Sequence, residues 1–358
     1  MRKLRNVWKR VISISFIPCL LLFLFIFGSG AAKNNAPIKI RIASAGPATE
    51  FVGDGQTAAG TSTRYFITEI EKRSNGRITA QVFPGGQLAS ATEEYMGGLQ
   101  DGAFEMIVLN NGAWSDYTNA FAGLNIPYLY FDFETAYAVL DSEVGIGWRK
   151  RAQEETGVIP LAYFDIGFRE LTNSTREIKV PADLKGIKLR TMVDDIQMES
   201  WRLLGAAVTP VPYAELYSAL QQKLVDGQEN PVSNITASKI YELQPYMTMT
   251  NHNFTASLFA ISPVLWGKLS PEDQKLVADV AVEAQNKGRE KTQIFAGEFM
   301  KIIADAGVKI YYPTTEELKQ FQDTVKPVWT KVEKNMGSEE FKKLIDFVSD
   351  YTAKKEKK

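Results

Sequence analysis

A long helical pattern near the carboxyl end places the strongest constraint on the fold. Residues 270–273 (SPED) form a typical helix start, with an N-cap serine, proline at the first helical position and acids in the first turn. The pattern stays helical to about Ala306. About 36 residues at ~1.5 Å each span ~54 Å, which exceeds the ~30 Å width of a small domain. The helix therefore predicts a second lobe that it crosses, or a kink at Gly288 or Gly297.

Strand-like and helix-like segments alternate along the rest of the chain. Strands are predicted at 38–44, 77–84, 104–110, 158–167 and 187–192, and helices at 61–76, 91–102, 133–157, 194–206 and from Pro231 onward. This alternation is typical of an α/β fold with mostly parallel sheets. A β-rich run at 246–262 has no turn signal, so we expect either a strand that crosses between lobes or one long edge strand.

The amino terminus has the three-part layout of a secretory signal peptide. Residues 1–10 hold five basic residues and no acid, residues 11–27 are almost wholly apolar, and small residues lead to Ala32. We expect cleavage near Ala32 and export to the periplasm. The alternative is a retained membrane anchor, although seventeen apolar residues are at the short limit for a span. A lipoprotein site at Cys19 is disfavoured because this cysteine lies inside the apolar run.

Composition excludes several classes of function. Removing residues 1–32 takes away five basic residues and no acid, so the 41 Lys and Arg fall to 36 against 42 Asp and Glu. This acidic balance argues against binding to nucleic acid or anionic lipid. With Cys19 removed and His252 as the one histidine, Cys/His nucleophilic sites, disulfides and His-rich metal sites are excluded. We expect no cofactor and no metal. A hydrolase with two distant carboxylates remains possible.

Arg190 is the main candidate for ligand binding. It ends the predicted strand at 187–192, after a tight turn, and the carboxyl ends of strands are where ligands bind in open α/β sheets. A guanidinium keeps its charge when buried, and its planar fork matches a carboxylate with two parallel hydrogen bonds. A buried arginine therefore requires an anion. The anion is either a ligand or a protein acid, such as Asp194 or Asp195.

Arg169 is a second candidate of the same kind. Phe168 before it and Leu171 after it predict a partly buried strand. The alternative is a surface cation that pairs with Glu170 or Glu177.

Asn230 and Tyr213 are polar or aromatic residues near predicted strand ends. Asn230 precedes Pro231, so its amide either caps the following helix or meets a ligand carboxylate or hydroxyl. Tyr213 follows a Pro-Val-Pro turn and either packs in the core or stacks over a flat part of the ligand.

Asn110 and Asn111 end the predicted strand at 104–110, and Trp114 follows shortly after. Paired amides at a strand end suit the recognition of hydroxyl groups, although Asn-Asn-Gly is also ordinary turn chemistry. We interpret His252, inside the β-rich run, as a hydrogen-bonded structural residue.

Three segments resemble a known family. They are GFRELTNSTREIKVPADLKGIKLR from residue 167, GAAVTPVPYAELYSALQQKLVDGQENPVSNI from residue 205 and YMTMTNH from residue 246. Together they resemble the DctP-type solute receptors of tripartite ATP-independent periplasmic (TRAP) transporters, and the resemblance covers essentially the whole chain after residue 32.

The resemblance implies a two-lobed periplasmic-binding-protein-like fold with a β-strand hinge and a long helix spanning both lobes. We expect lobe I at 33–165 plus 256–296 and lobe II at 166–255 plus 297–358. Such receptors are periplasmic, bind an organic acid in the cleft and pass it to the small and large subunits of a membrane permease. They are not enzymes, and we expect a monomer.

The resemblance also assigns roles to particular residues. Arg190 falls on the family's principal carboxylate clamp and Arg169 on a second anchor of many members. Asn230 falls on the asparagine of the segment DGQENP, and Tyr213 on an aromatic residue that often lines the pocket. Thr191 stands where the family usually has valine.

The predicted ligand depends on the position of Asn110, which varies with the ligand among family members. An amide there, with Asn111, Trp114 and Asp165 nearby, would suit a sugar acid such as a uronate or an aldonate. A C4-dicarboxylate or a keto acid is the alternative ligand. An exported enzyme acting on acidic sugars and a ligand-dependent sensor partner are the alternative functions.

Overall fold

The computed structural model of the protein describes residues 36–357. The strands, β1 to β10 in chain order, are Ile38–Ser44, Ile78–Phe83, Met106–Asn110, Ile159–Asn173, Lys188–Thr191, Ala207–Pro210, Gly227–Pro231, Tyr246–Thr248, Phe254–Ile261 and Lys309–Tyr311. The helices, α1 to α12, are Ala58–Arg73, Thr92–Asp101, Phe133–Asp141, Glu143–Thr156, Asp195–Leu203, Leu216–Gln221, Val232–Ala237, Pro263–Trp266, Pro271–Asp305, Thr315–Val325, Val328–Met336 and Ser338–Lys355. The predicted signal peptide, with Cys19 and the cleavage site near Ala32, lies outside the described residues.

The strands form one mixed sheet in the order β2-β1-β3-β9-β4-β7-β5-β6, with β8 paired to β4 and β10 paired to β8. Pairing is parallel at both ends of this order, among β1, β2 and β3 and among β5, β6 and β7. It is antiparallel in the middle, where β9 and β4 connect the two parallel groups. The two ends of the sheet are therefore parallel, as predicted, whereas its centre is antiparallel.

Strand β4 runs through the middle of the sheet and serves both parallel groups. Its first part, 159–168, pairs with β9, and its last part, 169–173, pairs with β7. Near the end of the first part, the register with β9 shifts between Asp165 and Gly167, and Gly167 has a φ of 115°. Only glycine adopts this backbone conformation without strain. The predicted strand at 158–167 is therefore correct in place but six residues too short.

Alternation along the strands separates the core into clusters on opposite faces of the sheet. On β1, Ile40 and Ile42 pack with α1 and α9, whereas Ala43 packs on the other face with α2, α4, α11 and α12. The β5–β6 end has its own pair of clusters, one around Leu189 and one around Val211. Helices thus cover both faces of the sheet, as the α/β prediction requires.

Helix α9 is continuous over 35 residues, and the Ser270 hydroxyl caps it by accepting a bond from the Asp273 amide at 3.1 Å. It packs against α1, β4 and α7, so it extends from one parallel group to the other. At Gly288 it approaches α1 so closely that a Cβ would lie 2.2 Å from the Ser62 hydroxyl and 2.6 Å from the Ala58 carbonyl. The long predicted helix is confirmed, and it continues through both glycines.

Two predicted elements are each divided in two in the structure. The predicted helix at 133–157 is two helices, because Ser142 adopts an extended conformation and its hydroxyl caps α4 through the Val144 amide at 3.1 Å. The predicted β-rich run at 246–262 is two strands, β8 and β9, separated at Asn251, which has a φ of 44°. Asparagine tolerates this left-handed conformation better than most residues. The strand that passes through the sheet is instead β4.

Within residues 36–357, no helix combines the length and the apolar character that crossing a membrane requires.

Candidate functional site

A cavity opens where the carboxyl ends of β1, β3, β5 and β7 come together. Its volume is about 1040 Å³, which includes the solvent at its open side. Six residues predicted from the sequence line it: Arg190, Arg169, Asn230, Tyr213, Asn110 and Asp165. Positions far apart in the chain therefore meet at one edge of the sheet, as expected for an α/β fold.

Arg190 is buried at the end of β5 and has a free donor. Its Nε donates to the Val211 carbonyl at 2.8 Å, whereas Nη1 has no hydrogen-bond partner among the described residues. Burial lowers the pKa of Arg190 to about 10, so the guanidinium remains cationic near neutral pH. Within residues 36–357 no carboxylate oxygen lies within 4.0 Å of it. The charge thus faces the cavity without a carboxylate in contact with it, although Glu229 attracts it from a greater distance.

The two acids considered as alternative partners of Arg190 have other roles. Asp194 caps α5 through the Gln197 amide at 2.8 Å and accepts a bond from Asn125 at 2.8 Å. Asp195 is exposed, and its carboxylate lies 3.8 Å from the Lys331 ammonium. Neither acid neutralises the arginine.

Arg169 differs from Arg190 because it has a protein counter-ion. Its Nε and Nη2 both donate to the Glu229 carboxylate, with Nη2 at 2.9 Å from Oε1. The same Nη2 lies 3.1 Å from the Asn230 amide oxygen, and Nη1 lies 3.3 Å from the Thr255 hydroxyl. The partner is thus neither Glu170 nor Glu177, which the sequence offered.

Glu229 is held between two side chains in the interior. It pairs with Arg169 and lies 3.0 Å from His252 Nε2, and the other ring nitrogen of His252 lies 2.8 Å from the Thr250 hydroxyl. Burial alone would raise the pKa of Glu229, but the Arg169 charge and the His252 bond outweigh it and hold the pKa at about 2. His252 thus has the structural position that the sequence indicated. The Arg169 charge is balanced, and that of Arg190 is not.

Asn230 and Tyr213 form polar parts of the wall. The helix α7 begins after Pro231 without a side-chain cap, so Asn230 does not have the capping role considered above. Its amide instead accepts from Arg169 and donates to Gln228. The Tyr213 hydroxyl is fixed by Ser238 at 2.7 Å, which holds the ring at the edge of the cavity.

The two asparagines at the end of β3 lie in different surroundings. Asn110 lines the cavity, and its side chain caps the following turn. Asn111 is buried elsewhere and donates to Asn125 at 2.8 Å. Trp114 is fully buried and packs edge-on against Phe121 at 5.5 Å. Asn111 and Trp114 therefore lie outside the lining, although Ala113 between them belongs to it.

Asp165 lines the cavity from the register shift in β4. It accepts bonds from the Tyr137 hydroxyl and, at 2.5 Å, from the Thr292 hydroxyl of α9. Its other oxygen, Oδ1, is buried without a hydrogen-bond partner among the described residues. Burial raises the pKa of Asp165, although these bonds counteract the shift. The free oxygen can accept a bond from a ligand hydroxyl.

Glu50 also lines the cavity, and sequence reasoning missed it. It lies in a short 3-10 turn, Ala48–Phe51, that follows β1. The available signal was its place after a strand whose carboxyl end borders the site.

The arrangement suits the binding of an anion. It offers one unbalanced guanidinium, several amides and hydroxyls, and two carboxyl groups at the same edge of the sheet. In the part of the chain that the structure describes, no group of three or more His, Cys, Asp or Glu residues could hold a metal ion.

Comparison with known proteins identifies the family. The model of bacterial extracellular solute-binding proteins, family 7 (DctP), matches residues 50–335. The chain therefore belongs to this family, the DctP-type solute-binding proteins of TRAP transporters, as the sequence resemblance predicted. Members of this family are periplasmic receptors for small organic acids and work with membrane permease subunits.

One curated relative and two solved structures illustrate the similarity. The 2,3-diketo-L-gulonate-binding periplasmic protein YiaO of Escherichia coli is 30% identical over 267 residues, which are 74% of this chain and 79% of that protein. The sugar acid binding protein DctPAm of Advenella mimigardefordensis, in complex with galactonate, is 28% identical with a TM-score of 0.82, covering 88% of this chain and 99% of that one. A TRAP solute-binding protein of Sulfurospirillum deleyianum with bound succinate is 26% identical with a TM-score of 0.79, covering 86% and 98%.

These structures confirm the predicted fold class, the two-lobed α/β architecture of periplasmic binding proteins. A further relative is longer: an uncharacterized protein of Sinorhizobium fredii is 36% identical over 224 residues, which are 62% of this chain and 41% of that protein.

Proposed function

We propose that the protein is the extracytoplasmic receptor of a TRAP transporter and binds the carboxylate of an organic acid through Arg190. The observation that carries this proposal is the buried guanidinium of Arg190, which has a free Nη1 at the cavity and no carboxylate partner among the described residues. A buried charge without a partner costs several kcal/mol, so a ligand carboxylate would bind where that cost is offset. Low polarity around the pair strengthens it further.

The proposed ligand is a sugar acid, such as an aldonate or a uronate. One unbalanced arginine matches one carboxylate, because Glu229 already balances Arg169. The free oxygen of Asp165 and the amide of Asn110 suit hydroxyl groups along the rest of the ligand. YiaO and DctPAm bind sugar acids, which favours this class, whereas the Sulfurospirillum protein with succinate keeps a C4-dicarboxylate as the alternative.

The proposed cycle follows from the family. The exported receptor closes its two lobes over the acid, with bounds near 33–165 plus 256–296 and 166–255 plus 297–358, and the closed form meets the small and large permease subunits in the periplasm. In this proposal the receptor is a monomer and releases its ligand chemically unchanged.

Isothermal titration with D-galactonate and succinate tests the proposal. Arg190→Ala should lower affinity by about 10- to 100-fold, the range for a hydrogen bond to a charged group. Arg190→Lys should bind at an intermediate level, because it keeps the charge but loses the fork. Lys188→Ala is the matched control, since Lys188 lies on the same strand with an exposed side chain.

Two outcomes would contradict the proposal. One is an Arg190→Ala protein that folds normally and binds both acids as tightly as the wild type. The other is the appearance of a reaction product when the wild type is incubated with either acid, which would favour the enzyme alternative.

A further inference from the structure

The turn after β1 brings a carboxyl group into the cavity that the proposed carboxylate clamp does not use. Glu50 is 7% exposed and lines the cavity together with Arg190 and Arg169. In residues 36–357, no hydrogen-bond donor reaches its carboxyl group, and no lysine or arginine nitrogen lies within 4.0 Å of it. A buried carboxyl group without a partner is costly, so its position calls for a ligand group that bonds to it.

The surrounding backbone holds this carboxyl group in place. The Glu50 carbonyl accepts a bond from the Gln56 amide at 2.8 Å, and the neighbouring Thr49 hydroxyl donates to the Ala237 carbonyl at 3.2 Å. The carboxyl group lies directly over Gly46, where a Cβ would be only 2.6 Å from Oε2. Glycine at position 46 therefore leaves the space that the carboxyl group occupies.

The charges of the cavity exclude a role for Glu50 as a counter-ion. Arg169 is balanced by Glu229, and Arg190 has no carboxylate within 4.0 Å among the described residues. The other titratable groups that line the cavity are Tyr95, Tyr213 and Asp165. Glu50 thus adds a second carboxyl group to a site with one free cation.

We propose that Glu50 is a specificity-determining residue that bonds to a hydroxyl group of the ligand, so that the site selects a hydroxylated monocarboxylate over a dicarboxylate. A hydroxyl can both donate to a carboxyl oxygen and accept from its proton, whereas a second ligand carboxylate can only accept and leaves one Glu50 oxygen facing another acceptor. This inference rests on the proposed function and narrows its ligand class.

Two further observations agree with it. Burial raises the pKa of Glu50 to about 8, so near neutral pH the group is mainly an uncharged donor and acceptor. The wall also carries hydroxyl side chains suited to a polyol chain, namely Ser44, Ser90, Thr92 and Ser257.

Isothermal titration at pH 7 with four six-carbon probes tests the inference. D-galactonate has one carboxylate and hydroxyls, hexanoate has no hydroxyls, adipate has a second carboxylate, and 6-aminohexanoate has an ammonium group. The wild type should bind galactonate most tightly. Glu50→Ala should weaken galactonate by about tenfold or more and leave hexanoate within about threefold.

Two further variants separate the chemistry of the group from its shape. Glu50→Gln keeps a donor and an acceptor and should bind galactonate within about threefold of the wild type. Gly46→Ala keeps Glu50 but displaces its carboxyl group, and it should weaken galactonate binding as Glu50→Ala does, provided that circular dichroism shows a native fold.

Several outcomes overturn the inference. They are a Glu50→Ala protein with wild-type affinity for galactonate, and a wild type that prefers adipate, hexanoate or 6-aminohexanoate. If Arg190→Ala abolishes galactonate binding while Glu50→Ala does not change it, the inference fails and the proposed function stands. If the wild type binds none of these probes and does not bind succinate either, both fail.

Discussion

At the scale of single residues, Glu229 is the acid that balances the buried charge of Arg169. Its carboxylate meets Arg169 and His252, and all three side chains are almost fully buried. Removing one member of a buried ion pair leaves the other charged and unsolvated, which usually destabilises a protein strongly. Because Glu229 pairs directly with Arg169, Arg190 has no carboxylate in contact with it among the described residues.

Glu229→Gln should lower the free energy of unfolding at pH 7 by about 3–5 kcal/mol. The pKa of Glu229 is held at about 2, below its unfolded value, so its stabilisation is present above pH ~4.3 and is lost as pH falls toward 2. Urea unfolding at pH 7, 5 and 3 should show a smaller loss of stability in the variant than in the wild type. Glu177→Gln, at an exposed pair with Lys179, is the control and should change stability by about 0.5 kcal/mol or less. Equal acid sensitivity of the wild type and Glu229→Gln would contradict the argument.

Glu170 should give the opposite pH dependence. It is buried and accepts a bond from the Asn251 amide at 2.9 Å, and burial raises its pKa to about 8. Because the folded pKa lies above the unfolded one, stability falls as pH rises from about 4.5 through 8. Glu170→Gln keeps the acceptor and cannot ionise, so its unfolding free energy should fall less between pH 5 and pH 9. Parallel stability profiles for the two proteins would rule this out.

The positions of Arg190 and Arg169 could be predicted from the sequence better than the side chains that contact them. A charge at the end of a strand marked Arg190, but the partner of Arg169 is 60 positions away in sequence, and only the antiparallel pairing of β4 with β7 brings it close. Trp114 lies outside the cavity lining, because the direction of a side chain after a strand depends on the turn that follows. Glu50 lies in a short turn, which has no periodicity to reveal it.

At the scale of elements, the close contact between helices α9 and α1 depends on a glycine, which has a hydrogen atom in place of a side chain. At Gly288 the two helices leave no space for a methyl group. Gly297, in the same helix, faces open space. The two glycines therefore form a matched pair.

Gly288→Ala should lower the free energy of unfolding by about 1–3 kcal/mol, because the new methyl group must displace the α1 backbone. Gly297→Ala should instead raise it by about 0.5–1 kcal/mol, since alanine favours the helix and meets nothing. Chemical denaturation of both variants checks the signs. Stabilisation by Gly288→Ala would show that the helices separate easily at this point.

Helix boundaries were predictable where capping residues are visible in the sequence. The SPED start of α9 was correct, whereas the run at 246–262 was interpreted as one strand because Asn251 in the left-handed conformation leaves no mark in the hydrophobic pattern. The length of β4 was underestimated for a related reason, since the irregularity at Gly167 looks like a strand end in sequence although pairing continues beyond it.

At the scale of the whole molecule, the site joins residues from both parallel groups of the sheet. Asn110 and Glu50 come from the β1–β3 group, and Arg190 and Asn230 from the β5–β7 group. A ligand that bonds to both groups favours the arrangement in which they are close. The two-lobed architecture was predictable from the long helix and the family resemblance, whereas the antiparallel centre was not, because strand direction leaves no trace in local sequence.

Saturation with D-galactonate should therefore decrease the radius of gyration of the wild type, and small-angle X-ray scattering measures this change. Arg190→Ala at the same ligand concentration should show no decrease, because the bond that draws the groups together is missing. An unchanged radius in a wild type that calorimetry shows to be saturated would mean that binding occurs without closure.

Strand β4 has a consequence for exchanging parts between relatives. Its residues 159–168 pair with β9 and its residues 169–173 pair with β7, so the strand is part of both halves of the sheet. A hybrid protein whose two parents are joined within residues 159–173 would keep the native strand pairing on one side of the junction and lose it on the other. Chimeras designed to alter ligand preference should instead be joined in the loops outside β4, so that the whole strand comes from a single parent.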